Sequence, residues 1–328
     1  MEDIRIYDTD FNLLYIENKV ISSNWTIYFN SVGTFEIHTL PHADIAEIIL
    51  ENLDISKNKI PIIVQGDLQG IVTGVRLSGD LAIYGKTCNW LLSKKIVPKF
   101  ITHDLPTQCN PEDVARYLVS EAFSDQDNFL LGEKVNLSDM DTFWRNTYNP
   151  LSEVVKDLLV RENAGHNIFF DVKNRNWIFN VLPRNQSNVI LSDANSNVFN
   201  TEYTVSIDDY YSCCWYEQEQ DFVNGEFPDP VWTKLIKDEK SGIFRSECVV
   251  ESTVESEAES LLLGKKVKSE IVTDVCGLDY GKDYRLGDIL RVQYVNGKIS
   301  RTEQKQVSGI SIGEEEGKSQ VEVILRSL

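Results

Sequence analysis

Histidine is scarce in this chain of 328 residues, with only His38, His42, His103 and His166. His38 and His42 are close together, but Pro41 between them marks a strand-to-helix turn. The two rings therefore cannot project from one helix face, and no further Cys or His stands near to complete a zinc site. No GxSxG, Walker A or GxGxxG sequence occurs, which removes the common signatures of acyl transfer, nucleoside triphosphate binding and dinucleotide binding. The six cysteines, Cys88, Cys109, Cys213, Cys214, Cys248 and Cys276, include no CxxC pair and read as reduced and mostly buried. Basic residues are outnumbered, 32 Lys and Arg against 51 Asp and Glu, for a net charge of -19. That balance disfavours a nucleic-acid or membrane-surface binder, because both need a basic patch. No apolar run approaches the ~20 residues that span a bilayer. The opening "MEDIRIYDTD" has no apolar core of the kind a secretory signal needs. The sequons at Asn24, Asn136 and Asn185 carry little meaning without one.

What is present is globular: 42% hydrophobic and 10% aromatic residues. The length suits two or three domains. Residues 1–98 are strand-rich, with "IRIYD", "NWTIYF" and "TFEIHTL" alternating in the manner of a half-wet sheet. A helix interrupts them from Pro41 to Leu53, with Asp44 available as cap and Ile45, Ile48 and Ile49 on one face. Residues 99–197 change period. Asn110-Pro111-Glu112-Asp113 opens one helix and Asn149-Pro150 another, with Gly165 just beyond the end of the second. Two strands, "NIFFDV" and "NWIFNV", follow. Residues 198–328 return to strands, with one helix near 254–265 that is acidic at its start and basic at Lys265 and Lys266.

One pattern occurs twice. Val72-Thr73-Gly74-Val75-Arg76-Leu77 and Val307-Ser308-Gly309-Ile310-Ser311-Ile312 share the order aliphatic, hydroxyl, Gly, aliphatic, polar, aliphatic. A hairpin precedes each copy, turning at Gly66-Asp67 in one and at Asn296-Gly297 in the other. A closing strand follows each, "LAIYGK" and "VEVILRS". One helix lies among the strands of each copy. The pattern is expected to mark a duplicated module.

The remaining candidates for chemistry have plain readings. Cys213 and Cys214 are vicinal in a strand-like run, so they point to opposite faces and serve packing. "GEEEGK" at residues 313–318 has the composition of a solvated hairpin tip. Tyr210, Tyr211, Trp215 and Tyr216 form an aromatic run that fits a core or a subunit interface, or alternatively a sugar-binding platform. No catalytic, cofactor-binding or metal-ligating residue is expected.

Several segments, in order, resemble a phage-tail protein family: the baseplate hub or tail-associated protein of phage tails and of contractile particles such as R-type bacteriocins. They are "VGTFEIHTLPHA" (Val32 to Ala43), "GIVTGVRLSGDLAIYGKTCNWLLSKKIVP" (Gly70 to Pro98), "NPLSEVVKDLL" (Asn149 to Leu159), "DDYYSCCWYEQE" (Asp208 to Glu219), "GIFRSECVVEST" (Gly242 to Thr253) and "YRLGDILRV" (Tyr284 to Val292). The resemblance covers essentially the whole chain. It implies an α+β, mainly β fold: two tube-like β-barrel domains, 1–98 and 198–328, flanking a smaller α+β clamp domain, 99–197. It implies a structural, non-enzymatic hub, a homotrimer matching a six-fold tail tube or tube initiator above to a three-fold central spike below. Other baseplate proteins and the tape measure would be further partners, with no membrane, and with DNA only in transit through an acidic lumen. The location would be the tail baseplate of a virion or tail-like particle, assembled in the bacterial host cytoplasm. The chain stops directly after its closing strand, which suits a hub without an enzymatic extension. The alternatives are a tail-tip cell-wall hydrolase and a carbohydrate or receptor-binding module.

Overall fold

The structure is a computed structural model and describes residues 2–41, 43–57, 59–97, 110–138, 149–160, 162–218, 231–237, 242–243, 245–250, 255–315 and 318–327. His42, His103, Cys109, the centre of "GEEEGK" and the expected boundary at 98/99 lie outside them.

The alternating N-terminal segments form β1 (Ile4–Tyr7), β2 (Leu13–Glu17), β3 (Val20–Tyr28) and β4 (Thr34–Thr39). Helix α1 (Ala43–Glu51) follows, then β5 (Ile62–Gln65), β6 (Leu68–Leu77) and β7 (Leu81–Thr87). Asp44 lies in the first turn of α1, where it favours the helix dipole, and not ahead of it as a cap. Ile45 and Ile49, one turn apart, are fully buried against the sheet. The sheet curls over this core. Trp25 on β3 donates its indole N–H to Gln65 Oε1 on β5 at 2.7 Å, and Gln65 Nε2 donates to Ser23 at 3.2 Å. Trp25 also stacks on Phe35 at 4.5 Å. Phe35 lies flat against Gly85, where a Cβ would come within 2.6 Å of the ring and 2.1 Å of the Ile71 carbonyl.

The middle of the chain forms α2 (Pro111–Ala122), β8 (Phe129–Leu131), α3 (Leu151–Val160), β9 (Gly165–Asp171) and β10 (Asn176–Leu182). Asn110 caps α2 by accepting the Glu112 N–H at 2.9 Å. The α3 stripe of Leu151, Val154, Val155, Leu158 and Leu159 is buried, as its spacing requires. Its end differs from expectation. Asn163 takes the left-handed conformation at φ 51°, and the Ala164 N–H bonds the Leu159 carbonyl at 2.9 Å. Gly165 instead begins β9, tight against the Phe29 carbonyl.

The rest forms β11 (Gln186–Ser192), β12 (Val198–Ser206), β13 (Cys213–Gln218), β14 (Val231–Ile236), β15 (Glu247–Val249), α4 (Glu255–Gly264), β16 (Lys268–Val275), β17 (Ile289–Asn296), β18 (Ile299–Glu315) and β19 (Lys318–Ser327). Lys265 and Lys266 fall just past α4, so no basic residue sits in its last turn. β13, β14 and β15 make a separate three-stranded sheet covered by α4.

The first set of strands runs, side by side, β3-β4-β7-β6-β5-β1; the second runs β12-β16-β19-β18-β17-β11. In sequence order the six strands of one set correspond one to one with the six of the other. β6 carries a bulge between Val72 and Gly74 opposite β7, and β18 carries one between Val307 and Gly309 opposite β19. The extra residue is Thr73 in one and Ser308 in the other, the hydroxyl of the shared pattern. The copies also differ. α1 lies between β4 and β5, whereas α4 precedes β16; β1 pairs β5 antiparallel, whereas β11 pairs β17 parallel. The two sets do not appear as separate closed barrels. Among the described residues no pairing closes either, and β18 joins β3 so that both belong to one 13-stranded sheet.

Candidate interaction surfaces

The seam between the two strand sets is the best-defined internal contact. β18 uses one side twice. Its first part, 299–306, pairs β17, and its later part, 309–315, pairs β3 from Gly309–Tyr28 to Glu315–Ser22. The paired Thr26 and Ser311 hydroxyls are 3.4 Å apart. Ile312 packs against both cores. Phe29 ends the seam and is buried where three parts of the chain meet. Its N–H donates to the Ser308 carbonyl at 3.0 Å, and its carbonyl accepts the His166 N–H at 2.9 Å. Its ring fills the space a side chain would need at Gly287.

Two side-chain amides, buried Asn89 and half-buried Gln69, fasten the α+β unit to the first strand set. Asn89 accepts the Ile168 N–H at 2.8 Å and donates to the carbonyls of Ser31 and His166. Gln69 exchanges both bonds with the Phe170 backbone, at 2.7 and 3.0 Å. Within the unit, Glu112, wholly buried, accepts the N–H groups of Val135 at 2.8 Å and Asn136 at 2.7 Å.

An open cleft of about 580 Å³ runs along the outer part of the seam, lined chiefly by Asn24, Glu36, His38, Glu314, Glu315 and Lys318. The His38 ring contacts Asp80 at 2.5 Å and Glu36 at 3.1 Å, and Arg76 contacts Glu36 at 3.0 Å. The His38 contact holds the Asp80 carboxyl below its ordinary value. Both ring nitrogens of His38 are thus engaged by carboxylates, and among the described residues no group of three His, Cys, Asp or Glu side chains is arranged to hold a metal ion.

Cys88 and Cys214 are buried packing residues. Burial pushes the Cys88 thiol up to about 12 and the Cys214 thiol up to about 11, so neither is a thiolate near neutral pH. Cys214 packs with Tyr216, Val250, Ala258 and Leu262, while Cys213 points to the other face and sits 3.4 Å from the Ser246 carbonyl. The aromatic run is divided in the same way. Tyr216 is buried, and Trp215, on the opposite face, donates its indole N–H to Glu247 at 2.7 Å. Trp215 and Tyr216 therefore do not form one flat platform.

Several strand edges remain without a partner among the described residues, those of β2 and β11 and two that flank the repeated strands. β12 pairs only β16, and the later part of β6, residues 74–77, pairs only β7. Exposed apolar side chains mark both edges: Leu77 on β6, and Phe199 and Val205 on β12. Sequence periodicity located the strands themselves, but only the fold shows which edges stay open.

These features define a class: a mainly-β building block with two matched strand sets and unsatisfied sheet edges. Comparison with solved structures places the fold more closely. The chain is similar to the 43 kDa tail protein of prophage MuSo2 from Shewanella oneidensis, with TM-score 0.58, 13% identity, and 99% of this chain and 98% of that one covered. It is similar to a tail protein from Neisseria meningitidis MC58, with TM-score 0.59, 11% identity and 99% and 96% covered. It is similar to the prophage tail protein gp18 from Listeria monocytogenes EGD-e, with TM-score 0.55, 12% identity and 99% and 94% covered. No protein-family model and no curated protein sequence matches. The chain has the fold of phage tail proteins, and its likeness to them extends over its whole length.

Proposed function

We propose that the chain is a structural protein of a phage tail or tail-like particle, and specifically its baseplate hub. Three copies form a ring of six similar strand sets, which fits a six-fold tube on one side and a three-fold spike on the other. The observation that carries this reading is the repeated strand order with the bulge at Thr73 and at Ser308. A trimer can meet six-fold symmetry only if each chain presents two equivalent units. The shared fold of three tail proteins supports the location in the tail. The same likeness to tail proteins supports a structural role in place of a catalytic one. A tape measure, and DNA where the particle holds any, would pass through the ring.

Gold-labelled antibody against the chain should decorate one end of tails from the producing strain, and light scattering of the purified protein should give three-copy particles. Labelling absent from tails, or a stable six-copy ring, would overturn the hub. Lysis of peptidoglycan in a gel by the purified chain would favour the hydrolase reading instead.

A further inference from the structure

The internal seam between β18 and β3 has a counterpart that stays unpaired among the described residues. The bulges align Val307 with Val72 and Gly309 with Gly74, so the part of β18 that pairs β3 corresponds to residues 74–77 of β6. The counterpart of β3 follows from the registers. Gly74 faces Tyr84, and Gly309 faces Ile324. Tyr84 faces Glu36, and Ile324 faces Val272. Glu36 faces Asn24, and Val272 faces Glu202. Asn24 of β3 therefore corresponds to Glu202 of β12, Thr26 to Thr204 and Ile27 to Val205. Both counterpart edges, β6 from Gly74 and β12, are open among the described residues.

The backbone on β12 is oriented for a partner. Val205 faces Ser269 of β16. The Ser269 N–H bonds Ser327 Oγ at 3.2 Å and its carbonyl accepts from the same hydroxyl at 3.0 Å, both toward β19. Val205 and Ser269 thus form a pair without mutual backbone bonds, which turns the Val205 N–H and C=O outward.

We propose that a second copy of this chain fills both edges, β6 of one copy pairing antiparallel with β12 of the next. The register is Gly74 with Ser206, Val75 with Val205, Arg76 with Thr204 and Leu77 with Tyr203. This rests on the hub reading and names its subunit contact. It repeats between chains the bonding that β18 and β3 make within one, so every strand set meets its neighbours alike. The contact is head-to-tail, which closes a ring when the rotation permits, and it removes edges that would otherwise invite unspecific pairing. Val75 and Val205, like Ile310 and Ile27, would exchange backbone bonds; Arg76 and Thr204, like Ser311 and Thr26, would not.

A pair of the second kind has Cα atoms about 4.5 Å apart, within disulfide range. The double variant Arg76→Cys with Thr204→Cys, oxidised at the concentration where light scattering shows oligomer, should give covalently linked chains. Wild type, each single variant, and Arg76→Cys with Ser206→Cys run in parallel should give little. An oligomer without the 76–204 link, or equal linking in the offset variant, overturns the register and leaves the hub reading standing. A chain that stays monomeric and unlinked overturns the contact. A chain that links as expected but is absent from tails supports the contact and overturns the hub. Val205→Pro removes an outward N–H and no bond to β16, so it should shift the oligomer to monomer while the thermal transition stays within a few degrees. Oligomer retained at wild-type strength would count against the pairing.

Discussion

Phe29 is held by three parts of the chain at once: its N–H by Ser308, its carbonyl by His166, its ring against Gly287. Truncation to alanine leaves a cavity that the neighbouring backbone cannot close, and Phe29→Ala should cost about 3–5 kcal/mol, read as a lower urea midpoint at unchanged slope. Gly85→Ala fails for the opposite reason. Its Cβ would meet the Ile71 carbonyl and the Phe35 ring, so overpacking of about 1–3 kcal/mol or more follows. His166 gives a pH-dependent test. Burial, with the nearby Lys156 charge adding, lowers its pKa to about 4, and its Nδ1 has no hydrogen-bond partner among the described residues. The unfolded chain protonates this ring below about 6.5. Between pH 6.5 and 4 the unfolded state therefore holds more protons, and stability falls as pH falls, by about 3 kcal/mol across the window. His166→Phe should flatten that part of the stability–pH curve relative to wild type. An unchanged slope would mean that the ring is solvated in the folded chain.

At the scale of elements, the bulges at Thr73 and Ser308 do the most to set the sheet. Deleting Ser308 removes the extra residue and turns the side chains of 309–315 to the opposite face. Ile310, buried in the second core, would point to solvent. The deletion should yield insoluble or molten protein by near-ultraviolet circular dichroism, whereas Ser308→Ala, which keeps the residue count, should fold. Asn89→Ala should cost about 1–3 kcal/mol, because the Ile168 N–H it serves stays buried without a partner. Much at this scale was legible in the sequence. The repeated pattern located both bulged strands, Asn110-Pro111 located α2, and the first hairpin turn falls at Gly66-Asp67; the second falls one residue later than expected, at Gly297-Lys298, because Asn296 still pairs with Ile299. The helix end at Asn163 was missed because the Gly five residues after α3 carried the stop signal, while the left-handed turn was made by an Asn. Each copy has one helix among its strands, as expected, but α1 and α4 interrupt them at different places, which order within the chain does not reveal. The β18–β3 seam links residues nearly three hundred positions apart, and no local periodicity records such a pairing.

At the scale of the whole molecule, charge opposes assembly. Each chain carries -19, so copies repel as they approach. The contact proposed above has the other sign locally: Arg76 on one edge comes opposite Thr204, beside Glu202 on the other. Such an exposed pair contributes well under about 1 kcal/mol, while backbone pairing and the burial of Leu77 and Val205 are indifferent to salt. The long-range repulsion is the part that salt changes most, because screening shortens from about 30 Å at 0.01 M to about 10 Å at 0.1 M. Association measured by light scattering or sedimentation should therefore tighten over that range and then level off. Glu202→Gln should weaken the low-salt repulsion only slightly, since it removes one charge of many. Association that loosens as salt rises would mean that ion pairs, and not strand pairing, hold the copies together, and the edge contact would then be the wrong interface.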